Sequence, residues 1–130
     1  MAATYLDSSA IVKLAVRENE SLALRRYLRR RRPLVSSSLA RTEVFRALLP
    51  AGDDAVAAGR KVLSRLDLVR ISTGLLDEAG VLLPEDLRSL DAIHLATARR
   101  LGQDLGAIVT YDERMADAAT HLGHRVVAPR

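Results

Sequence analysis

The chain has no cysteine, which removes disulfide frameworks, thiolate zinc sites and cysteine nucleophiles together. That composition suits a reducing compartment, and a cytoplasmic location is the expectation. There is no tryptophan, and the only aromatic residues are Tyr5, Tyr27, Phe45 and Tyr111. So few rings cannot form a platform on which successive unpaired bases stack. Lysine is confined to Lys13 and Lys61, so arginine carries nearly all the positive charge. No apolar run approaches the roughly 20 residues that cross a bilayer. The start, Met1 to Asp7, lacks the basic and apolar regions of a secretory signal. No membrane association is expected. Repeats, low-complexity tracts and Pro/Gly/Ser linkers are missing too, so the 130 residues are expected to form one domain, 1–130.

What is present is a large apolar fraction, 48%, sufficient for a core. Short apolar strands alternate with amphipathic helices, the pattern of a parallel α/β sheet covered on both faces. Strands are expected near 2–7, 34–36, 68–71, 107–110 and 125–127. Helices are expected over 19–32, after Asp53-Asp54, and over 73–83, 90–101 and 112–122. Ser8 or Ser9 can cap a helix carrying Ile11, Val12, Leu14 and Ala15, and Ser37 or Ser38 one carrying Glu43 and Val44. Pro33, Pro84, Gly102 and Gly123 supply the stops.

Four acids sit at strand-to-helix junctions or just inside helices: Asp7, Glu43, Asp91 and Asp112. Ligands of an open α/β sheet bind outside the carboxyl ends of its parallel strands, which makes Asp7 and Asp112 candidates for one site. Each acid alone has a local explanation. Asp7 and Asp112 serve as helix caps, Glu43 pairs with Arg41 or Arg46 at helical spacing, and Asp91 sits at the rim of the apolar face of Ala92, Leu95 and Ala96, near solvent or against a cation. Together they would repel one another and raise their own pKa values unless a cation joined them. With oxygen ligands alone, that cation is a hard one, Mg²⁺ or Mn²⁺.

Ordered segments carry a resemblance: Tyr5-Leu6-Asp7-Ser8-Ser9-Ala10-Ile11-Val12-Lys13-Leu14, Thr42-Glu43-Val44, Leu90-Asp91-Ala92-Ile93-His94-Leu95-Ala96-Thr97-Ala98 and Val109-Thr110-Tyr111-Asp112-Glu113-Arg114-Met115. Across essentially its whole length the chain resembles the PIN-domain nucleases, and among them the VapC-type toxins of toxin–antitoxin pairs. The resemblance implies a three-layer α/β/α sandwich with a mostly parallel central sheet and a Mg²⁺- or Mn²⁺-dependent endoribonuclease site. Asp7 and Asp91 would be the principal ligands, with Glu43 and Asp112 binding directly or through water. Ser9 and Thr110 would support the acids, both hydroxyls being equally suited to capping. Some relatives carry a further aspartate close behind the last one. Here Glu113-Arg114 stands in that place, which leaves one metal or two open; Asp117 is the nearest substitute, although a solvated helix face accounts for it.

A metal-held water attacking a phosphodiester in line leaves 5′-phosphate and 3′-hydroxyl ends, without use of the 2′-hydroxyl. No histidine pair stands ready for acid–base cleavage: His94 reads as a satisfied helix residue, and His121 and His124 as remote from the acids. Arg114, beside Asp112, is the candidate substrate-phosphate contact. Residues 25–32 hold six arginines in eight, read as a solvated helix end, a phosphate-binding patch or a dock for an acidic antitoxin segment. Recognition would rest on the shape and phosphates of a structured RNA, a tRNA or rRNA.

The resemblance also implies a cognate VapB-like antitoxin covering the acidic site, and a homodimer. Leu39, Val44, Leu48 and Leu49 exceed one core-facing stripe and could serve either interface or the core. Light scattering that gave a monomer at high concentration would sink the dimer. A haloacid-dehalogenase-like phosphatase needs an aspartate two residues after the first, where Ser9 stands. A receiver domain needs adjacent acids at its first strand and a late lysine, and no lysine follows Lys61. A catalytically inactive PIN-like module that binds RNA or protein is the remaining alternative.

Overall fold

In the computed structural model, which describes residues 2–130, the first apolar run forms strand β1 (Ala3–Leu6), and Asp7 turns the chain into helix α1 (Ser8–Ala15). Helix α2 (Ser21–Leu28) leads to β2 (Leu34–Ser37), and α3 (Leu39–Leu48) and α4 (Asp53–Leu63) precede β3 (Asp67–Val69). Helices α5 (Thr73–Gly80) and α6 (Ser89–Arg99) follow, then β4 (Leu105–Val109), α7 (Glu113–His121) and β5 (Val126–Val127). The five strands form one sheet in the order β3-β2-β1-β4-β5, and every pairing is parallel. The parallel α/β architecture therefore stands as the alternating pattern implied.

Helices lie on both faces because alternate side chains of a strand point opposite ways. Leu6 and Val109 face the cluster of Ile11, Leu24, Val44, Leu48 and Leu63, supplied by α1 to α4. Tyr5, Val35 and Ile108 face the other cluster, which contains Leu95, Ala98, Met115 and Ala119 from α6 and α7. A smaller cluster joins Leu75 and Ala79 of α5 to Ala92 and Ala96 of α6. The alanines of α6 let its backbone approach the sheet closely, and His94 is buried among them. Gly59 has a similar reason: a Cβ there would overlap Cδ1 of Leu48, so its absence sets the contact between α3 and α4.

Strand β1 has β2 on one side and β4 on the other, so the connections leave it in opposite directions. A crevice opens at such a switch point beyond the carboxyl ends of the two central strands. Asp7 follows β1 directly, and Thr110 to Asp112 follow β4.

Several expected boundaries move. The serine cap of α1 is replaced by Asp7 itself, whose extended backbone and carboxylate at the amide of Ala10 fill that role. Before α3, Ser38 occupies the cap position without a side-chain bond, and Ser37 Oγ accepts from the amide of Leu39. The helix expected over 19–32 shortens to Ser21–Leu28, so Arg29 to Arg32 lie past its end. The helix expected over 73–83 ends at Gly80. Of the four apolar positions expected on the Glu43 helix, Val44 and Leu48 enter the core, while Leu49 falls just past the end of α3 and is 56% exposed.

Candidate active site

Asp7 is 4% exposed and almost fully engaged. Its Oδ1 accepts from the Ser9 hydroxyl at 2.6 Å and the Ala10 amide at 3.1 Å, and its Oδ2 accepts from the Thr110 hydroxyl. The two hydroxyls also accept, Ser9 from the amide of Tyr111 at 2.9 Å and Thr110 from that of Asp112 at 3.1 Å. They fasten the ends of β1 and β4 together across the switch point. Burial pushes the Asp7 carboxyl above the ordinary carboxylate range, and the bonds from Ser9 and Thr110 restore only part of the loss.

Glu43 projects from α3 toward α6. Its Oε1 accepts from the Ser8 hydroxyl and from His94 Nε2, each at 2.6 Å. The expected pairing with Arg41 or Arg46 does not form. Burial pulls the Glu43 carboxyl upward, but the hydrogen bond and charge of His94, with the Ser8 hydroxyl, hold it below the usual range. The other nitrogen of His94, Nδ1, lies 2.7 Å from the Tyr5 hydroxyl. Burial raises the Tyr5 pKa far above its ordinary value, so Tyr5 keeps its proton. Glu43 is acceptor-only, which puts a proton on Nε2, and the Tyr5 hydroxyl pairs with Nδ1 by donating to the neutral ring or accepting from the imidazolium. The histidine that reads locally as a satisfied helix residue is satisfied, but by a site acid.

Asp91, in the first turn of α6, and Asp112, the cap of α7, meet through Arg88. The guanidinium donates through Nε to Asp91 Oδ2 at 3.0 Å and through Nη2 to Asp112 Oδ2 at 2.8 Å. Asp112 Oδ1 accepts from the Met115 amide at 3.1 Å. Partial burial raises the Asp112 carboxyl, and the Met115 amide together with Arg88 outweighs it, leaving the group below its usual range. The local reading of Asp112 as a cap stands, and it uses one oxygen while the other turns to Arg88 in the cleft.

Asp7, Glu43, Asp91 and Asp112 line one cleft of about 350 Å³ with Ser8, Ser9, Arg88 and His94. Four carboxylates against Arg88 and His94 leave the cleft with an excess of negative charge. The donor set is oxygen throughout and suits a hard divalent cation, and Arg88 marks where positive charge is demanded. Among the described residues, no three Asp, Glu or His side chains converge tightly enough to enclose a metal ion. The acids line the walls, and Arg88 lies across two of them.

Arg114 is exposed on α7 and lines a neighbouring cavity of about 570 Å³ with Arg88, Asp91, Asp117 and His121. Asp117 thus lies outside the cleft of the four acids. His121, expected to be remote, borders the adjoining space. Three residues that hydrogen-bond the acids of the cleft escaped the sequence reading as site groups: Ser8, Arg88 and His94. Only Arg88 left a local signal, three residues before Asp91, the spacing of a helical ion pair. Ser8 and His94 reach Glu43 from 35 and 51 residues away.

Residues 4–120 match the family model described as PIN domain. The chain is 67% identical over 129 residues to Ribonuclease VapC46 of Mycobacterium tuberculosis, covering 99% of each chain. It is 43% identical to Ribonuclease VapC35 of the same organism, over 96% of each. Among solved structures, the Mycobacterium tuberculosis toxin VapC20, described as cleaving the sarcin–ricin loop, superposes with a TM-score of 0.77 at 21% identity, over 97% of this chain and 99% of that one. A toxin–antitoxin complex from Klebsiella pneumoniae superposes with a TM-score of 0.74 at 24% identity, over 98% of each. These two likenesses speak to the fold.

Proposed function

The chain belongs to the PIN-domain family, as a VapC-type ribonuclease, and from that premise we propose that it is a divalent-metal-dependent endoribonuclease toxin held in check by a cognate VapB-like antitoxin. The observation that carries the reading is the meeting of Asp7, Glu43, Asp91 and Asp112, from four separate segments, in one cleft at the switch point of the sheet. Under this reading the whole chain is a single PIN domain acting on a structured RNA, tRNA or rRNA, and it functions as a homodimer.

Asp7, Asp91, Asp112 and Glu43 would hold Mg²⁺ or Mn²⁺. A divalent cation bound by these oxygens supplies Lewis acidity toward a phosphodiester and a water acidified for attack. The chain's own residues do the positioning. Ser9, Thr110 and the Ala10 amide fix the rotamer of Asp7, so little side-chain entropy remains to be lost on ligation. His94 and Ser8 share Oε1 of Glu43, which leaves Oε2 for a ligand or a bound water. They also keep Glu43 ionised, the state in which it can bind a cation or accept a proton. Arg114 supplies a phosphate contact on the wall of the adjoining cavity.

The test incubates the purified chain with total RNA, with and without Mg²⁺, beside Asp7→Asn, and maps the fragment ends. Metal-dependent cuts absent from the variant and ending in 5′-phosphate are expected. Cyclic phosphates at 3′ ends would overturn the metal-activated-water mechanism. A folded, Mg²⁺-binding chain that cleaves nothing would favour the inactive binding module.

A further inference from the structure

Arg88 stands immediately before α6, its side chain half exposed. Its Nη2 approaches Asp91 Oδ2 at 2.9 Å and Asp112 Oδ2 at 2.8 Å. No other cation forms an ion pair with either acid among the described residues. Arg88 also belongs to the walls of both the 350 Å³ cleft and the adjoining 570 Å³ cavity. The side chain that neutralises the two acids thus borders both spaces, as Asp91 does.

We propose that Arg88 is a resident counter-ion that a divalent cation displaces from Asp91 and Asp112, and that the freed guanidinium then grips an RNA phosphate at the passage between the two cavities. The proposal rests on the reading of the cleft as a metal-dependent nuclease site. Arg88 holds Oδ2 of both acids and sets its positive charge against them, so a cation drawn to the same pair competes with it for the same negative charge. The exchange is within reach because an ion pair this exposed is weak and the cation brings twice the charge. Arg88 sits on the segment between α5 and α6, outside any helix or strand, on a long side chain free to turn outward.

Once displaced, the planar fork that matched two carboxylates matches the oxygens of a phosphate equally well. Arg114 lines the same adjoining cavity, exposed and in no ion pair among the described residues. The two guanidiniums then flank the strand entering the cleft. Metal and RNA become coupled: filling the acid pair releases the group that holds the backbone, so each ligand favours the other.

Two measurements test this without reading activity. Mn²⁺ binding to the full chain, followed by electron paramagnetic resonance, is expected to be about three- to tenfold tighter in Arg88→Ala. In Arg88→Lys, where a single point charge replaces the fork, a smaller gain is expected. Fluorescence anisotropy with labelled bulk tRNA is then run with Ca²⁺ and with EDTA. The wild type is expected to bind more tightly in Ca²⁺, whereas Arg88→Ala loses most of that gain, roughly tenfold.

Unchanged or weaker Mn²⁺ binding in Arg88→Ala overturns the displacement. Tighter Mn²⁺ with an intact Ca²⁺-dependent gain in tRNA affinity overturns the phosphate contact. Asp91→Asn separates this from the underlying reading: if it binds Mn²⁺ as the wild type does, the metal site itself is misplaced. Because Arg88 is exposed, circular dichroism is expected to show every variant folded.

Discussion

Asp7 is held in a place that costs the fold something. A carboxyl whose folded pKa lies above its unfolded value is destabilising when ionised, so the stability it contributes is present at low pH and lost as pH rises through the folded value. Asn keeps an oxygen for the Ala10 amide and the Ser9 hydroxyl, and the Thr110 hydroxyl can turn to accept from its amide. Asp7→Asn is therefore expected to raise the melting temperature of the metal-free chain at neutral pH by about 3–6 °C while abolishing cleavage. The gap between variant and wild type should narrow as pH falls through the elevated Asp7 pKa. Calorimetry across pH checks both statements, and a variant less stable than wild type at pH 7 would mean that the hydrogen bonds outweigh burial. His94 illustrates a limit of local reading. An imidazole on an apolar helix face is legible as buried and satisfied, but its partners, Tyr5 and Glu43, come from β1 and α3.

Helix α6 combines a packing face with a site face. Ala92, Leu95, Ala96 and Ala98 bury against the sheet and α5, while Asp91 stays at the rim in the first turn. The apolar period makes the helix legible, and the acid beside it calls for solvent or a cation. Arg88 supplies the cation, and Asp91 keeps 14% of its side chain exposed. On the other face, α3 carries Glu43, and its position is set by the contact with Gly59 of α4. Alanine in a helix interior ordinarily gains about 1 kcal/mol over glycine. At Gly59 the added methyl meets the buried Leu48 and Val44, where overpacking costs roughly 1–3 kcal/mol. Gly59→Ala is expected to melt below wild type. Gly80→Ala, at the end of α5 with no atom within 4 Å of the added carbon, is expected to melt at or above it. A stabilised Gly59→Ala would show that α3 and α4 can part without cost.

At the scale of the molecule, positive and negative charge separate. The acids gather beyond the carboxyl ends of β1 and β4, while Arg25, Arg29, Arg32 and Arg65 rim a cavity of about 350 Å³ floored by Leu14, Leu28, Leu34, Val62 and Leu66. Leu34 opens β2, which puts this rim at the amino-terminal edge of the sheet, away from the cleft. None of these four arginines forms an ion pair among the described residues. If the rim holds RNA backbone, replacing Arg29, Arg30, Arg31 and Arg32 with alanine weakens RNA affinity and lowers the salt slope by roughly one for each phosphate no longer neutralised. Binding measured from low to high salt decides it. An unchanged slope removes the RNA role and leaves the acidic protein partner or the solvated helix end.

The sequence by itself determined the parallel α/β architecture, the junctions where the acids stand and the oxygen-only character of the donor set. Those depend on apolar period, on caps and on the absence of cysteine, all properties of neighbours along the chain. Tertiary structure alone decided that Thr110 reaches Asp7 across 103 residues, that Glu43 leans on His94 rather than on a nearby arginine, and that Arg88 bridges Asp91 and Asp112. At helical spacing Glu43 has Arg46, three residues on, and only the folded chain brings His94 of α6 to it instead. Burial shifts the Asp7 carboxyl for the same reason: exposure is a property of the assembled core, and no stretch of sequence holds it alone.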